Sequence, residues 1–280
     1  GCICRYFESW NGPQIKRQAR SKFIDPKLST LKVNQSLNGS TFKNKIFFVD
    51  RLPSTNTHAW HLIGKGAQSG LIITNNQYKG RGQRKKKWIS SIHGAITFSL
   101  FIKKELSSNL LTTLPILTGL SVQQALLNFN VKALLKWPND IILNNKKIGG
   151  VLCESNIRGD TSKYIVIGIG INVNDDKNSL IEKKLNNATS LKIEYGSDYE
   201  REIIISSIVD RLELNLNLFP NNLKKIIHDW EAVCCHINKN INFKNHTKSG
   251  EGKFLGLDDD GSVKIIVNEK IERFSDLQII

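Results

Sequence analysis

The sequence predicts an α+β fold in which helices flank a mixed sheet, with a small β-barrel-like unit at the C-terminal end. Short apolar runs typical of buried strands alternate with longer segments that have helical periodicity and capping residues. The last part of the chain instead alternates between apolar and polar residues, as an antiparallel sheet does. We therefore expect a basic leader at residues 1–43, a main domain at residues 44–236 and a β domain at residues 237–280.

The first half of the main domain is expected to hold three strands and two helices. Apolar runs predict the strands at residues 46–49, 71–74 and 95–102. The first helix is capped by Ser54 or Thr55. The second is capped by Thr112 or Thr113, has a proline in its first turn and continues to Phe129.

The second half adds a hairpin, a long apolar strand and two further helices. The predicted strands are residues 131–137, 141–143, 148–153 and 164–173, and the predicted helices are residues 200–218 and 223–230. Asn144-Asn145 is expected to form the hairpin turn, because Asn tolerates a positive φ. The alternating tail begins near Ile241 and contains a turn at residues 258–261.

The charge and the cysteines limit the class of protein. A formal net charge of +15 over 280 residues predicts an anionic partner, such as nucleic acid, a nucleotide or an acidic protein. The five cysteines are irregularly spaced, which indicates a reduced, cytoplasmic protein. We interpret Cys234-Cys235-His236 as buried thiols at a helix end rather than a metal site. No stretch is expected to span a membrane, because polar residues interrupt residues 110–127.

A basic loop at residues 80–88, Gly-Arg-Gly-Gln-Arg-Lys-Lys-Lys-Trp, is the first candidate binding element. Gly80 and Gly82 let the backbone approach a ligand, and their amides can face an anion. Arg81 can bind a carboxylate or phosphate through two parallel hydrogen bonds, and Arg84 raises the local positive potential. Trp88 offers a flat face to a purine ring. A solvated run of charges is the alternative interpretation.

The predicted hairpin carries the second candidate element. Trp137-Pro138 favours an extended backbone, which places Asn139 and Asp140 at a strand edge. Asp140 is a candidate for holding Mg²⁺ or an incoming amine. Lys147 on the returning strand is a candidate for stabilising charge on a carboxylate or a phosphorus centre. The alternative is an ordinary turn beside a surface lysine.

A glycine-containing strand is the third candidate element. Gly168 and Gly170 lie inside an apolar strand, where glycine usually marks the close approach of a ligand or another backbone. Asn172 has an amide that could hydrogen-bond an adenine edge. A bulged core strand with a structural Asn explains the same pattern equally well.

Taken in order, these elements resemble the motifs of the biotin protein ligases, a family that includes the bacterial biotin repressor. The matching segments are Ser54-Thr55-Asn56, Gln77, Gly80-Arg81-Gly82, Trp88, the Lys-Trp-Pro-Asn-Asp run from Lys136 to Asp140, Lys147-Ile148-Gly149-Gly150 and the Gly-x-Gly-Ile-Asn run from Gly168 to Asn172. The resemblance runs from about Phe48 to the C-terminus. It implies a class II synthetase-like, lipoate-ligase-like main domain and an SH3-like C-terminal domain.

The resemblance implies an activity and a set of site residues. Biotin would be activated with ATP to biotinyl-5'-AMP and transferred to a lysine of a biotin carboxyl carrier protein. The implied catalytic residues are Lys147, Arg81 and Asp140, with Mg²⁺ held by Asp140. The implied biotin-binding residues are Ser54, Thr55, Asn56, Gln77, Gly80, Arg81, Gly82, Gln83, Lys147, Gly168 and Gly170. The implied ATP-binding residues are Arg84, Trp88, Asn139 and Asn172.

The sequence departs from the family pattern in two places. The family's loop commonly has Arg directly after Gly-Arg-Gly and a Gly two positions later, whereas this chain has Gln83 and Lys85. The uncharged Gln83 predicts weaker retention of the adenylate. Members with repressor activity carry an N-terminal winged helix, and residues 1–43 are too short for more than a remnant of one. DNA is therefore not expected as a partner, no membrane is expected, and a homodimer is left open.

Two other activities compete with this interpretation. Lipoate and octanoyl transferases share the fold but lack the Lys-Trp-Pro-Asn-Asp run. A basic nucleic-acid-binding protein would have aromatic residues interleaved with its basic ones, and none lies between Arg81 and Lys87. An inactive ligase kept as a binding module is a third alternative, against which the intact Lys147, Arg81 and Asp140 argue.

Overall fold

The computed structural model describes residues 27–37 and 39–280, so most of the expected leader and any winged-helix remnant in residues 1–26 lie outside it. The helices are α1 (Thr30–Ser36), α2 (Thr55–Gly64), α3 (Leu114–Leu127), α4 (Lys177–Glu182), α5 (Leu191–Tyr195), α6 (Arg201–Leu218) and α7 (Leu223–Ala232), with short 3-10 helices at Gln83–Lys85 and Ser108–Thr113. The strands are β1 (Ile46–Phe48), β2 (Arg51–Leu52), β3 (Ser69–Ile73), β4 (Asn76–Gln77), β5 (Gly80–Arg81), β6 (Lys87–Trp88), β7 (Ala95–Ser107), β8 (Leu134–Lys136), β9 (Asp140–Leu143), β10 (Lys146–Arg158), β11 (Thr161–Asn172), β12 (Asn240–Lys244), β13 (Ser249–Leu257), β14 (Val263–Val267), β15 (Lys270–Phe274) and β16 (Gln278–Ile279).

A seven-stranded sheet in the order β1-β3-β7-β11-β10-β9-β8 forms the centre of the molecule. β1 and β3 run parallel, and the other neighbouring pairs are antiparallel. The sheet is therefore mixed, as the sequence predicted.

Helices cover both faces of this sheet because its strands are apolar on both sides. Alternate residues of a strand point to opposite faces. Ile72, Phe101 and Val166 belong to a small apolar cluster that packs with Ala59 of α2. The residues next to them in sequence belong to the main core, where α3 packs against α6 and α7.

All four predicted helices are confirmed, with differences at their ends, and the structure adds three short helices. Ser54 is the N-cap of α2 and accepts a hydrogen bond from the Thr57 amide. Thr113 precedes α3 without a side-chain capping bond, because a 3-10 helix leads into it. The sequence did not predict α1, α4 or α5, which have 7, 6 and 5 residues and are too short to show periodicity. Residues 131–133, expected in a strand, lie outside β8.

Part of the expected leader packs into the main core. Leu28, Val33 and Leu37 are buried there, together with Phe42. Glu213 of α6 also accepts hydrogen bonds from the Ser40 and Thr41 hydroxyls. Residues 27–43 are thus attached to the main domain by apolar and polar contacts.

The C-terminal strands form a separate five-stranded antiparallel sheet in the order β15-β14-β13-β12-β16. The turn predicted at residues 258–261 is present, with the Asp258 amide bonded to the Ser262 carbonyl. Phe243 and Phe254 of this sheet are buried in the same core as the main domain. The more specific description as an SH3-like barrel stays a prediction.

The expectation that polar residues make residues 110–127 too polar to span a membrane was wrong. The segment Ser108–Leu127 is long and apolar enough to cross a membrane, since its polar residues do not lower its hydropathy sufficiently. Most of the segment is buried inside the fold, where α3 contributes core residues such as Ile116 and Leu117. Core helices of soluble proteins have the same length and composition, so the segment is weak evidence for a membrane span.

Candidate active site

A cleft of about 280 Å³ collects most of the residues that the sequence singled out. Its walls come from the N-terminus of α2, the basic loop, the β8–β9 turn, the neighbouring parts of β10 and β11, and β16 of the C-terminal sheet. The predicted site residues in the lining are Ser54, Thr55, Asn56, Gln77, Arg81, Gly82, Gln83, Arg84, Trp88, Asn139, Asp140, Lys147, Gly168 and Gly170.

The N-terminus of α2 forms a buried polar wall of this cleft. Gln77 Oε1 accepts from the Thr55 amide at 2.8 Å and from the Thr55 hydroxyl at 3.2 Å. Ser99 Oγ lies 2.6 Å from both Thr55 Oγ1 and Asn56 Oδ1. Because these side chains fix one another, the wall keeps a defined arrangement of donors and acceptors for a neutral polar ligand.

The glycines near the cleft make room for protein side chains. A Cβ on Gly168 would lie 2.3 Å from Asn56 Oδ1, and one on Gly170 would lie 2.4 Å from the Trp88 ring. At Gly80 a Cβ would lie 2.4 Å from the Trp88 carbonyl oxygen. The close approach to these glycines that the sequence predicted is therefore present, and the approaching groups include the Asn56 and Trp88 side chains of this chain.

The basic loop lines the cleft and is held by ion pairs and by a hydrogen bond within its own backbone. Arg81 forms a two-point ion pair with Glu154, at 2.7 Å and 3.0 Å. Arg84 pairs with Asp276 and donates to the Leu277 carbonyl at 2.7 Å. The Gly82 amide donates to the Lys86 carbonyl at 2.7 Å. The expectation that this amide faces an anion is corrected, since it is used inside the loop.

The β9–β10 hairpin brings Asp140 and Lys147 together. Lys147 Nζ lies 2.5 Å from Asp140 Oδ1, and both side chains line the cleft. Asn139 forms two hydrogen bonds with Val151: its Nδ2 donates to the carbonyl at 2.7 Å and its carbonyl accepts from the amide at 3.0 Å. The turn residues Asn144 and Asn145 have φ values of 48° and 61°, as predicted.

Two predicted residues do not line the cleft. Asn172 is 3% exposed, and its Nδ2 donates to the Thr189 carbonyl at 3.1 Å. The expectation that Asn172 contacts ATP is therefore not supported, because its amide nitrogen is used to hold a neighbouring segment. Gly80 is also outside the lining and lies behind it, against Gln77 and Trp88.

The structure adds residues that sequence reasoning missed or named only as part of a run. Lys86, Lys87 and Lys136 line the cleft and form no salt bridge among the described residues. Their charge is available to an anion, whereas that of Arg81, Arg84 and Lys147 is already paired. The lysine of the Lys-Trp-Pro-Asn-Asp run was the available signal for Lys136.

Two buried polar atoms in the cleft wall lack a partner. Trp88 Nε1 and Thr97 Oγ1 are buried without a hydrogen bond among the described residues. Thr97 and Gly170 are register partners on β7 and β11, and the Trp88 ring lies against Gly170. Buried polar groups without partners are uncommon, so both are candidates for contact with a ligand.

The residues of the cleft fit a metal ion that is also bound by the phosphates of a substrate. No group of three or more His, Cys, Asp or Glu side chains that could hold a metal occurs in residues 27–37 and 39–280. Asp140 is a single carboxylate in the cleft, and Mg²⁺ is commonly bound by one or two carboxylates plus substrate phosphates.

Near the β8 edge, burial raises the pKa of the Cys234 thiol to about 12, consistent with a buried thiol after α7.

The chain is similar to known biotin ligases along most of its length. Residues 48–172 match the model of the biotin/lipoate A/B protein ligase family. The chain is 28% identical over 270 residues to the bifunctional ligase/repressor BirA of Bacillus subtilis, covering 95% of this chain and 83% of that protein. It is 24% identical over 220 residues to the biotin–[acetyl-CoA-carboxylase] ligase of Paracoccus denitrificans, covering 76% of this chain and 90% of that one. The Aquifex aeolicus biotin protein ligase in complex with biotin and ATP superposes with a TM-score of 0.70 at 27% identity, covering 84% of this chain and 99% of that one.

Proposed function

We propose that this chain, a member of the biotin protein ligase family, activates biotin with ATP and transfers biotin to a lysine of a biotin carboxyl carrier protein. In the first step an oxygen of the biotin carboxylate attacks the α-phosphorus of ATP. A P–O bond forms, pyrophosphate leaves, and the product is the mixed anhydride biotinyl-5'-AMP. In the second step the lysine amine attacks the anhydride carbonyl, an amide forms, and AMP leaves with the bonding electron pair.

The observation that carries this proposal is the composition of one cleft. The lining combines a buried, uncharged wall of hydrogen-bonding groups with a group of lysines that form no salt bridge among the described residues. The wall suits the neutral ureido ring of biotin, with Ser54, Thr55 and Gln77 as its binding residues. The lysines suit the phosphates of ATP.

The first step brings two anions together, which is unfavourable unless cations offset their charge. Lys147 is proposed to supply charge at the reacting carboxylate and phosphate, and Arg81 at the biotin carboxylate. Mg²⁺ carried by the nucleotide would neutralise phosphate charge, with Asp140 as its protein ligand. In the second step Asp140 is proposed to orient the incoming lysine amine or take its proton.

The anhydride is sensitive to water, so the site needs a cover. Residues of the basic loop line the cleft, and the loop is proposed to serve as that cover, with Trp88 against the adenine ring. Arg84 and Asn139 lie in the same lining and stay proposed nucleotide contacts. The acceptor is proposed to be an acidic carrier domain, because the net charge of +15 would steer it electrostatically.

The setting of the reaction is also a proposal. The cysteines described outside residues 1–26 are free, which agrees with a reducing cytoplasm. The C-terminal sheet is proposed to be the family's SH3-like domain, and β16 already contributes Gln278 and Ile279 to the cleft.

The test is biotin- and ATP-dependent labelling of a purified carrier domain, with pyrophosphate release followed in parallel. Labelling together with pyrophosphate release is the expected result. Pyrophosphate release without labelling would mean that the adenylate forms and escapes. A folded sample that gives neither signal with biotin contradicts the proposal. Repeating the assay with lipoate and octanoate then decides for or against an acyltransferase of the same fold.

A further inference from the structure

Glu154 is an acidic residue that contacts the cleft lining and that none of the proposed steps uses. It lies on β10, two positions after Leu152, which lines the cleft. Glu154 itself is not part of the lining. Its side chain is 22% exposed, compared with 45% for that of Arg81.

The carboxylate of Glu154 joins two other elements of the site. Its Oε1 lies 2.7 Å from Arg81 Nη1, and its Oε2 accepts from Arg81 Nη2 at 3.0 Å. Oε2 also accepts from Asn56 Nδ2 and from Trp60 Nε1 of α2, each at 3.1 Å. A carboxylate has about four acceptor positions, and four donor atoms contact this one.

The geometry of the Arg81 contact is specific. Two parallel N–H···O bonds fix the plane of a guanidinium group, which a single contact does not. Arg81 also lines the cleft, so fixing that plane decides where its remaining N–H groups point. Because the pair is partly exposed, its contribution to global stability is small, and orientation is the larger effect.

The same carboxylate also contacts the α2 wall of the cleft. Asn56 Nδ2 also donates to the Leu152 carbonyl at 3.1 Å, so Asn56 is bonded to two residues of β10. The basic loop and the start of α2 are therefore set relative to each other through one residue. A shift in Glu154 would change both the wall that faces biotin and the loop that covers it.

We propose that Glu154 is a positioning residue for adenylation, which holds the Arg81 guanidinium and the basic loop in register with the α2 wall. This inference rests on the proposed function, because Arg81 is assigned to the biotin carboxylate there. Glu154 touches no reacting atom and acts through Arg81 and Asn56.

The test is a double-mutant cycle on biotin-dependent pyrophosphate release. Glu154→Gln keeps an acceptor oxygen for Asn56 and Trp60 but removes the charge and one of the two acceptors that face Arg81. Its kcat/KM for biotin is expected to fall between about tenfold and a hundredfold, the range caused by small misplacements of a site group. Because Glu154→Gln keeps the Asn56 contact and loses the two-point contact with Arg81, adding it to Arg81→Met is expected to cause little further loss.

A protease experiment tests the same inference without any ligand. The basic loop contains Arg81, Arg84 and three lysines, all of which trypsin can cleave after. Limited digestion of the folded full chain is expected to cut the loop of Glu154→Gln severalfold faster than that of the wild type. Glu272→Gln is the matched control, because it breaks an ion pair with Lys248 in the C-terminal sheet, away from the cleft. That variant is expected to match the wild type in both assays.

Additive losses in the cycle, or an unchanged cleavage rate in the loop of Glu154→Gln, would overturn the inference. Failure of the proposed function gives a different pattern. A wild-type protein without biotin-dependent pyrophosphate release would reject the proposed activity, while the cleavage rates would still decide whether Glu154 holds the loop.

Discussion

Lys147 Nζ lies 2.5 Å from Asp140 Oδ1 across the β9–β10 hairpin, so two residues proposed for separate roles neutralise each other in the free protein. Their side chains are 39% and 26% exposed. A pair this accessible contributes about 0–1 kcal/mol to stability. A ligand that takes over either partner therefore loses little from breaking the pair, and an ATP phosphate and its metal ion could replace the two partners together.

Lys147→Ala is expected to reduce adenylate formation on the order of a hundredfold or more, because a cation at the developing charge is lost. The thermal midpoint is expected to stay close to that of the wild type, since the pair adds little stability. Biotin-dependent pyrophosphate release measures the first effect and thermal unfolding the second. Lys146→Ala is the control, because Lys146 is exposed on the same strand and does not line the cleft. Wild-type adenylation by Lys147→Ala would remove Lys147 from the mechanism.

Gln83→Arg is expected to slow the escape of free biotinyl-AMP severalfold. Gln83 lines the cleft within the basic loop, and a guanidinium there can form charge-assisted bonds to the adenylate phosphate. The measurement is the rate at which adenylate appears in the filtrate after a single turnover without acceptor. Gln68→Arg adds the same charge at an exposed position outside the cleft and is expected to have no effect. An unchanged escape rate for Gln83→Arg would show that this position does not control retention.

Lys85 has a φ of 59°, in the left-handed region, and follows Arg84 with a φ of 52°. A non-glycine residue in this region lowers the stability of the folded protein by about 1–2 kcal/mol through backbone strain. Glycine at a position without strain lowers it by about 0.5–1 kcal/mol, because glycine loses more backbone entropy on folding. Lys85→Gly is therefore expected to leave the free energy of unfolding unchanged or to raise it by up to about 1.5 kcal/mol. Lys87→Gly is the control, since Lys87 is also exposed and has no positive φ, and it is expected to lower that free energy. Denaturant unfolding of both variants compares them, and equal losses would contradict the strain at Lys85.

Thr97→Val removes a hydroxyl whose oxygen is buried in the cleft wall without a partner. Leaving such a group unpaired costs about 1–3 kcal/mol, so the free protein is expected to be at least as stable as the wild type. If a ligand atom satisfies this hydroxyl, binding weakens, and we expect the KM for biotin or for ATP to rise about tenfold. Thr118→Val is the control, because Thr118 is buried on α3 and does not line the cleft. Unchanged KM values for both substrates would show that no ligand uses the Thr97 hydroxyl.

The local parts of the site could be predicted because each is written in a short stretch of sequence. The Ser54 cap, the Asn144-Asn145 turn and the strand glycines follow from backbone preferences of single residues. The contacts that hold the basic loop could not be predicted in this way. Arg81 and Glu154 are 73 positions apart, and Arg84 and Asp276 are 192 apart, so no local pattern relates them.

Asn172 is a residue whose role could not be decided from the sequence. Its place in a glycine-containing strand fitted a ligand contact and a structural role equally well. Only the fold places the Thr189 carbonyl within 3.1 Å of its amide nitrogen. The short helices α4 and α5 lie on either side of Thr189 and were also not predicted. Packing in the fold stabilises them, and they are too short to show a helical pattern in the sequence.

His236 gives a prediction for the pH dependence of stability. Burial lowers the pKa of His236 from 6.5 to about 4, and the nearby Lys136 and Lys239 act in the same direction. Between these values the unfolded chain binds a proton that the folded protein does not, so the contribution of neutral His236 is lost as pH falls from 6.5 to about 4.

Asp210 opposes this trend, because burial raises its pKa from 3.8 to about 6 and the folded protein then binds the extra proton. The two effects are separated by measuring the free energy of unfolding of the wild type, His236→Gln and Asp210→Asn over this pH range. Relative to His236→Gln, the wild type is expected to lose stability on acidification, and relative to Asp210→Asn it is expected to gain stability. Parallel curves for the wild type and His236→Gln would mean that His236 titrates alike in the folded and unfolded protein.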